Sequence, residues 1–145
     1  MSNKFIGKYE VSMDSKNRIV IPSRWKEKLG MEIVISESFE DSLAIRTEAG
    51  FEDYCNEILG NDDNDRKSRV LKRKILGGSS NIVLDKWHRF VVPGNLLNKL
   101  GKGPLVMIGV GNLIELWNQS KYEEWEGMAE NELDSVAQEL SEQKK

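Results

Sequence analysis

An aspartate followed four residues later by an arginine occurs twice in this chain, as D-S-K-N-R at 14–18 and D-K-W-H-R at 85–89. The residue before each arginine, Asn17 or His88, is one of the non-glycine types that tolerate a positive φ. Each segment is therefore expected to turn tightly just ahead of its arginine, which fixes the direction in which Arg18 and Arg89 leave the chain. A guanidinium presented this way is a planar fork that matches guanine O6/N7, or a phosphate, with two hydrogen bonds. Lys8, Lys16, Lys86 and Arg24 are candidates for phosphate contacts, and Asn17 and His88 for contacts from the turns themselves. Trp87, at the tip of the second segment, is a candidate to stack or insert at a DNA backbone. A plainer reading of the spacing is an ion pair that only closes a hairpin. The two readings are compatible, with Asp14 and Asp85 orienting the arginines.

Other chemistry finds less support. His88 is the only histidine, which leaves no multi-histidine metal site, and Cys55 is the only cysteine, which leaves no internal disulfide and no cysteine-based zinc site. Cys55 is expected on the apolar face of a helix. G-V-G at 109–111 lacks the third glycine and the acidic partner of a dinucleotide fingerprint and reads as a turn between strands. The carboxylates of 115–142 read as a solvated helix face. No enzyme activity, cofactor or metal is expected.

The elements that position the two arginines come from a repeat. Shifted by 71 residues, the sequence meets itself at Asp14/Asp85, Arg18/Arg89, Val20/Val91, Pro22/Pro93, Lys28/Lys99, Leu29/Leu100 and Gly30/Gly101, seven identities in 17 residues. By type, Val34 and Ile35 meet Leu105 and Val106, and Leu43 and Ile45 meet Ile114 and Leu116. Two copies are too few for a solenoid, so a closed pseudo-two-fold pair is expected. In each unit an alternating strand (Phe5, Tyr9, Val11, Met13 in the first) leads to the turn and a short strand ending in proline. A short helix follows, N-capped by Ser23 and stopped by Gly30 in the first unit. Two more strands come next, E-I-V-I-S and S-L-A-I-R, or P-L-V-M-I and L-I-E-L-W. A helix closes each unit: one on the stripe Phe51, Tyr54, Cys55, Ile58, Leu59, and one long helix on Tyr122, Trp125, Ala129, Leu133, Val136, Leu140. N-D-D-N-D at 61–65 reads as a loop or cap, and Arg66–Lys74 as a basic helix ending at Gly77-Gly78. The expected organisation is a first repeat over 1–64, a basic helical connector over 65–79, and a second repeat with an acidic C-terminal helix over 80–145.

The net charge of −3 argues against a nucleic-acid partner, but the charge is not spread evenly. Residues 1–30 carry a net of +4 and 66–102 a net of +9, whereas 31–65 carry −10 and 103–145 carry −6. Folding could gather the basic blocks on one face. The start, M-S-N-K-F-I-G-K, has no apolar stretch of the length a signal peptide needs. The apolar run from Leu105 falls far short of the roughly 20 residues of a membrane span, so a cytoplasmic location without a membrane partner is expected. Aromatic surface around W-N-Q-S-K-Y-E-E-W, with the apolar seam of the last helix, points to a homo-oligomer.

The run F-I-G-K-Y-E-V-S-M-D-S-K-N-R-I-V-I-P, its echo V-L-D-K-W-H-R-F-V-V-P, and V-M-I-G-V-G-N-L-I-E-L-W resemble the MraZ family of bacterial transcription factors over residues 5 to about 126. The resemblance implies an α+β fold: two tandem pseudo-symmetric repeats whose halves form an AbrB-like swapped-hairpin β-barrel core with peripheral helices. It implies ring-shaped homo-oligomers, an octamer or similar, associated with the nucleoid. It implies binding to double-stranded DNA at short G-rich direct repeats upstream of the chain's own operon, a division and cell-wall gene cluster. Carried over by position, the family's paired motif falls on Asp14 and Arg18 and on Asp85 and Arg89. The chain departs from the family at His88, where glycine is common, so the second loop is expected to be displaced and Arg89 to contribute less. The alternative is a protein-interaction scaffold, or an AbrB-like antitoxin-type module, whose acidic helices bind a protein partner.

Overall fold

Alternation of apolar residues decides which strand faces point inward. In strand β1 (Phe5–Val11), Phe5, Tyr9 and Val11 turn toward the core and Ile6, Lys8 and Glu10 turn away. The computed structural model describes residues 4–59 and 64–143. The remaining strands are β2 (Arg18–Val20), β3 (Glu32–Glu37), β4 (Ser42–Thr47), β5 (Ser80–Val83), β6 (Arg89–Val91), β7 (Leu105–Gly111) and β8 (Ile114–Asn118). The order β1-β7-β8-β4-β3-β5 forms a six-stranded antiparallel sheet, and β2 pairs with β6 in a two-stranded ribbon.

Both orders are symmetric under exchange of the halves. Strand β1 leaves its own half to pair with β7, and β5 returns the exchange by pairing with β3. Neither half can therefore bury its strands alone. One core lies between sheet and ribbon, with Ile19, Ile21, Phe90 and Val92 of the ribbon segments meeting Ile33, Ile35, Leu43, Ile45, Leu105, Met107, Ile114 and Leu116 of the sheet. Strand pairing does not run from the sheet into the ribbon among the described residues. The expected α+β class, doubling and swap are present.

The register corrects one correspondence. Tyr9 opposes Met107 and Ser80 opposes Ile35, so Met107 is the counterpart of Ile35, one residue beyond the constant 71-residue shift. The buried pair Ile33 and Ile35 thus matches Leu105 and Met107. An extra residue before β7 causes the slip, and a shorter β7–β8 turn absorbs it, since Ile45 and Leu116 keep the original shift. Gly109 opposes Gly7 across the β1–β7 pair; a Cβ there would stand 2.5 Å from the Phe5 carbonyl carbon. Only glycine allows β1 this close.

After β2, Pro22 rather than Ser23 caps a 3-10 turn (Ser23–Trp25) that leads into α1 (Lys26–Leu29). The fixed φ of proline starts the turn with no side-chain hydrogen bond. The second half repeats this from Pro93 through Gly94–Leu96 into α4 (Leu97–Leu100). Trp25 packs edge-on against Tyr9, with ring centroids 4.9 Å apart, and its indole N–H donates to the Ile6 carbonyl at 3.1 Å.

Helix α2 (Glu48–Tyr54) starts on the Thr47 hydroxyl and widens into a π-type turn at Cys55–Leu59. The expected stripe is not sunk into the core: Ile58 is exposed and Cys55 half-buried, while the Leu59 side chain lies outside the described residues. Asn61–Asp63 of the expected loop also lie outside them. Asp65 caps α3 (Arg66–Gly77) by accepting from the Lys67 N–H at 3.0 Å. The expected single C-terminal helix is two, α5 (Gln119–Glu130) and α6 (Leu133–Gln143). The Glu132 N–H bonds to the Ala129 carbonyl, a tight three-residue closure that ends α5. No residue of α6 is buried, so no packing holds the two in one line.

Candidate nucleic-acid interface

Each Asp-x-x-x-Arg segment closes by the same set of hydrogen bonds. In the first loop, Asp14 Oδ1 accepts from the backbone N–H groups of Lys16 and Arg18, both at 2.9 Å, and Oδ2 accepts from Arg18 Nε at 2.8 Å. In the second, Asp85 Oδ1 accepts from the N–H groups of Trp87 and Arg89 at 2.9 Å, and Oδ2 from Arg89 Nε at 2.8 Å. Asn17 and His88 take φ of 62° and 59°, the left-handed conformation that their positions called for. The N–H of Asp14 donates to the Arg18 carbonyl, and that of Asp85 to Arg89, both at 3.0 Å. His88 therefore leaves the second loop undisplaced, correcting the expectation that it would differ: imidazole, like the carboxamide of asparagine, tolerates positive φ.

These bonds also set charge. The Arg18 N–H, the Arg18 guanidinium and the Lys16 N–H hold the Asp14 carboxyl below its ordinary range, against a partial desolvation that pulls it up. At Asp85 desolvation is the largest influence and raises the value, but the N–H and guanidinium of Arg89 and the N–H of Trp87 together outweigh it. Both aspartates stay ionised and keep their arginines oriented. The ion pair that closes the hairpin and the orientation of the guanidinium are thus one feature.

The ribbon carries both arginines on one face. Ile19 and Phe90 point into the core, so Arg18, Val20, Arg89 and Val91 point out. Arg18 opposes Val91 and Val20 opposes Arg89, which puts the two arginines on a diagonal, about 7–8 Å apart by ordinary antiparallel geometry. Their Nε groups are taken by the aspartates, and the two side chains are 29% and 24% exposed. Val20 and Val91, 47% and 54% exposed, fill the rest of this face. Sequence reading missed them, although alternation around Ile19 and Phe90 was a sufficient signal.

The other predicted residues are placed unequally. Lys16 and Lys86 are exposed on the loops, and Lys86 Nζ lies 4.3 Å from the Trp87 ring centroid. Arg24 is exposed in the turn after Ile21, whose N–H donates to the His88 carbonyl. Lys8 faces away from the core on β1, with its ammonium over Tyr122 of α5 at 5.5 Å, and is not brought to the ribbon. Nor is the basic helix α3 on the ribbon. It packs against β3 and the π-type turn, where Lys74 pairs with Glu37 at 2.9 Å. The helical part of the second basic block therefore does not join the ribbon face, although Lys86 and Arg89 of that block do.

One further arrangement was not legible in the sequence. Arg46 is 6% exposed, its guanidinium lies 3.9 Å from the Tyr54 ring centroid, and it lines a groove of about 950 Å³ beside α2.

Comparison with known proteins bears on both halves. The family described as "MraZ protein, putative antitoxin-like" matches residues 5–74 and again 75–144. Proteins named "Transcriptional regulator MraZ" match along most of their length. The one from Mycoplasma mobile is 40% identical over 139 residues, 94% of this chain and 95% of that protein. The one from Mycoplasmoides gallisepticum is 33% identical over 83% of this chain and 86% of its own length. The one from Ureaplasma parvum is 32% identical over 94% and 96%. With both halves matched, each bearing one Asp–Arg loop on a shared ribbon, this chain belongs to the MraZ family.

Proposed function

We propose that the chain is a sequence-specific DNA-binding transcriptional regulator that acts at short G-rich direct repeats upstream of its own operon, the division and cell-wall cluster. The observation that carries this reading is the ribbon face, where two oriented guanidiniums flank two exposed valines. A two-stranded ribbon fits the major groove of B-DNA, where arginine forks pair with guanine and small apolar groups meet thymine methyls. Lys16, Lys86 and Arg24 supply phosphate contacts; Asn17 and His88 shape the loops and sit within reach of the duplex. Relatives bearing the name transcriptional regulator support the reading. No helix among the described residues is long and apolar enough to cross a membrane, and the protein works in the cytoplasm at the nucleoid, without cofactor, metal or catalytic step.

One ribbon reads only a few base pairs, and the net charge is negative, so affinity comes from repetition. In this reading residues 1–64 and 80–145, linked by the basic segment 65–79, form one reading unit. Such units assemble into a closed ring, an octamer or similar, that engages tandem sites at high effective concentration. Exposed Met128, Leu133, Val136 and Leu140 on α5 and α6 offer the apolar surface for assembly. The same surface, with its acidic surroundings, favours the second reading, a scaffold or antitoxin-type module that binds a protein partner.

Retention on the upstream DNA against a scrambled duplex, across a salt series, tests the proposal. Specific retention that falls with salt is expected, because phosphate contacts release counterions. Equal retention on both duplexes, or none, would leave the second reading standing.

A further inference from the structure

The two loops agree in their backbone and Asp–Arg bonds and differ in the side chains between. The third residue of the motif is Lys16 in one loop and Trp87 in the other, and Trp87 is 56% exposed. Its indole lies against two cations of its own loop, with Lys86 Nζ at 4.3 Å and Arg89 Cζ at 4.5 Å from the ring centroid. Arg89 is thereby held twice, at its Nε by Asp85 and across its guanidinium by the indole. Arg18 has the aspartate and, among the described residues, no ring over it.

We infer that Trp87 is a positioning residue that makes the second loop the sequence-discriminating one and leaves the first, with Lys16 at its tip, mainly to grip phosphate. The inference rests on the DNA-binding reading above. A guanidinium fixed before binding loses less rotamer freedom when it docks, so more of its hydrogen bonding appears as affinity for the correct base. Rotation of Arg89 about its own axis would carry its terminal fork out of the plane of a guanine edge. The aspartate alone fixes one nitrogen; the indole adds a second restraint on the guanidinium. Lys86 lies over the same ring. A ribbon with equal loops would read a two-fold symmetric site. Unequal loops give it a direction, so that it binds an asymmetric element in one orientation.

The test uses the full-length chain with the upstream duplex and a scrambled duplex at several salt concentrations. Trp87→Ala should lower the ratio of specific to scrambled affinity about three- to thirtyfold, the range of one cation–π contact from exposed to desolvated. Trp87→Phe should recover most of that loss, because it keeps an aromatic face. Trp87→Ala combined with Arg89→Ala should be no worse than Arg89→Ala alone, since Trp87 acts through Arg89. Trp87→Lys should raise affinity for both duplexes and steepen the salt slope by about one, without restoring the ratio. Losses that simply add in the double variant would overturn the inference. So would an unchanged ratio in Trp87→Ala beside a discriminating parent, or a melting temperature lowered in step with binding. A parent protein that does not discriminate overturns the DNA-binding reading itself, and this inference with it.

Discussion

Arg46 at the end of β4 and Trp117 at the end of β8 occupy equivalent places in the two halves, opposite Val34 and Val106. Trp117 is walled by Tyr122 and Trp125, with ring centroids at 5.4 and 5.9 Å, and its indole N–H donates to Glu115. Arg46 has Tyr54 against its face, faces an open groove, and forms no salt bridge among the described residues. Burial pulls its guanidinium below the ordinary arginine range. The loops, in contrast, match bond for bond. The ribbon explains the difference. The Asn17 carbonyl of the first loop accepts from Val92 of the second half, and the His88 carbonyl accepts from Ile21 of the first. Each loop anchors the other half's strand, so a change of shape in one would break a ladder in both. No such reciprocal bond ties Arg46 to Trp117, and the outer layers have diverged.

The largest expected effects break this comparison on the outer side. Trp117→Ala should cost about 3–5 kcal/mol, since it removes a buried aromatic from a closed cluster. Arg46→Met, a similar volume without the charge, should be neutral or stabilising by about 1–4 kcal/mol, as when other buried charges give way to apolar groups. Urea unfolding of both variants measures this. A large loss in Arg46→Met would show that the guanidinium has a partner that its surroundings do not reveal.

On the inner side both loops should matter for binding, and the second should matter more for discrimination. Arg18→Ala should cost at most roughly 1–3 kcal/mol of specific binding, the worth of one bidentate base contact, with most of the loss shared by the scrambled duplex, and leave melting and assembly unchanged. Arg89→Ala should cost at least as much, because His88 keeps the second loop in the geometry of the first. Titration of both variants on specific and scrambled duplexes decides; unchanged affinity for both duplexes in Arg18→Ala would remove that residue from the interface. Lys16→Ala should act more weakly and on all sequences, reducing the salt slope by about one. A change in discrimination without a change in slope would place Lys16 on a base instead.

Much of this was legible in the sequence because the signals were local. Asn17 and His88 announced the positive φ of the turns, and apolar alternation gave the strands. The doubled motif fixed where the two halves had to be equivalent. What escaped depended on partners distant in the chain. The slip of the register at Leu105 and Met107 is absorbed within one hairpin, so a constant shift between the halves could not show it. The periodicity of the last helix runs unbroken across Asn131 and Glu132, but nothing buries α6 to enforce it. Lys8 is near the first loop in sequence, yet strand alternation turns it to the opposite face of the sheet. Arg46 follows the apolar run Leu43–Ile45 in its strand, and only Tyr54 packed against it explains how its charge is accommodated.

The smallest expected effect separates the two tasks of the motif aspartate. In Asp14→Asn the carboxamide oxygen can still accept from the N–H groups of Lys16 and Arg18, which keeps the turn. The amide nitrogen cannot accept from Arg18 Nε, so the guanidinium is released. Specific binding should therefore fall by less than in Arg18→Ala, with the loop intact, whereas Asp14→Ala should loosen both. Acid should imitate Asp14→Asn, and only far down the pH scale. The Asp14 carboxyl is held below its ordinary value in the folded chain, so its contribution to stability is complete above the unfolded value of about 3.9. It is lost as pH falls through the lower folded value. Asp85, shifted in the same direction, follows the same course. The Nε–H resonances of Arg18 and Arg89 should thus hold their positions from neutral pH down through pH 5 and move together only below the ordinary carboxylate range. Movement of either between pH 7 and 5 would mean that its aspartate is not the group orienting it.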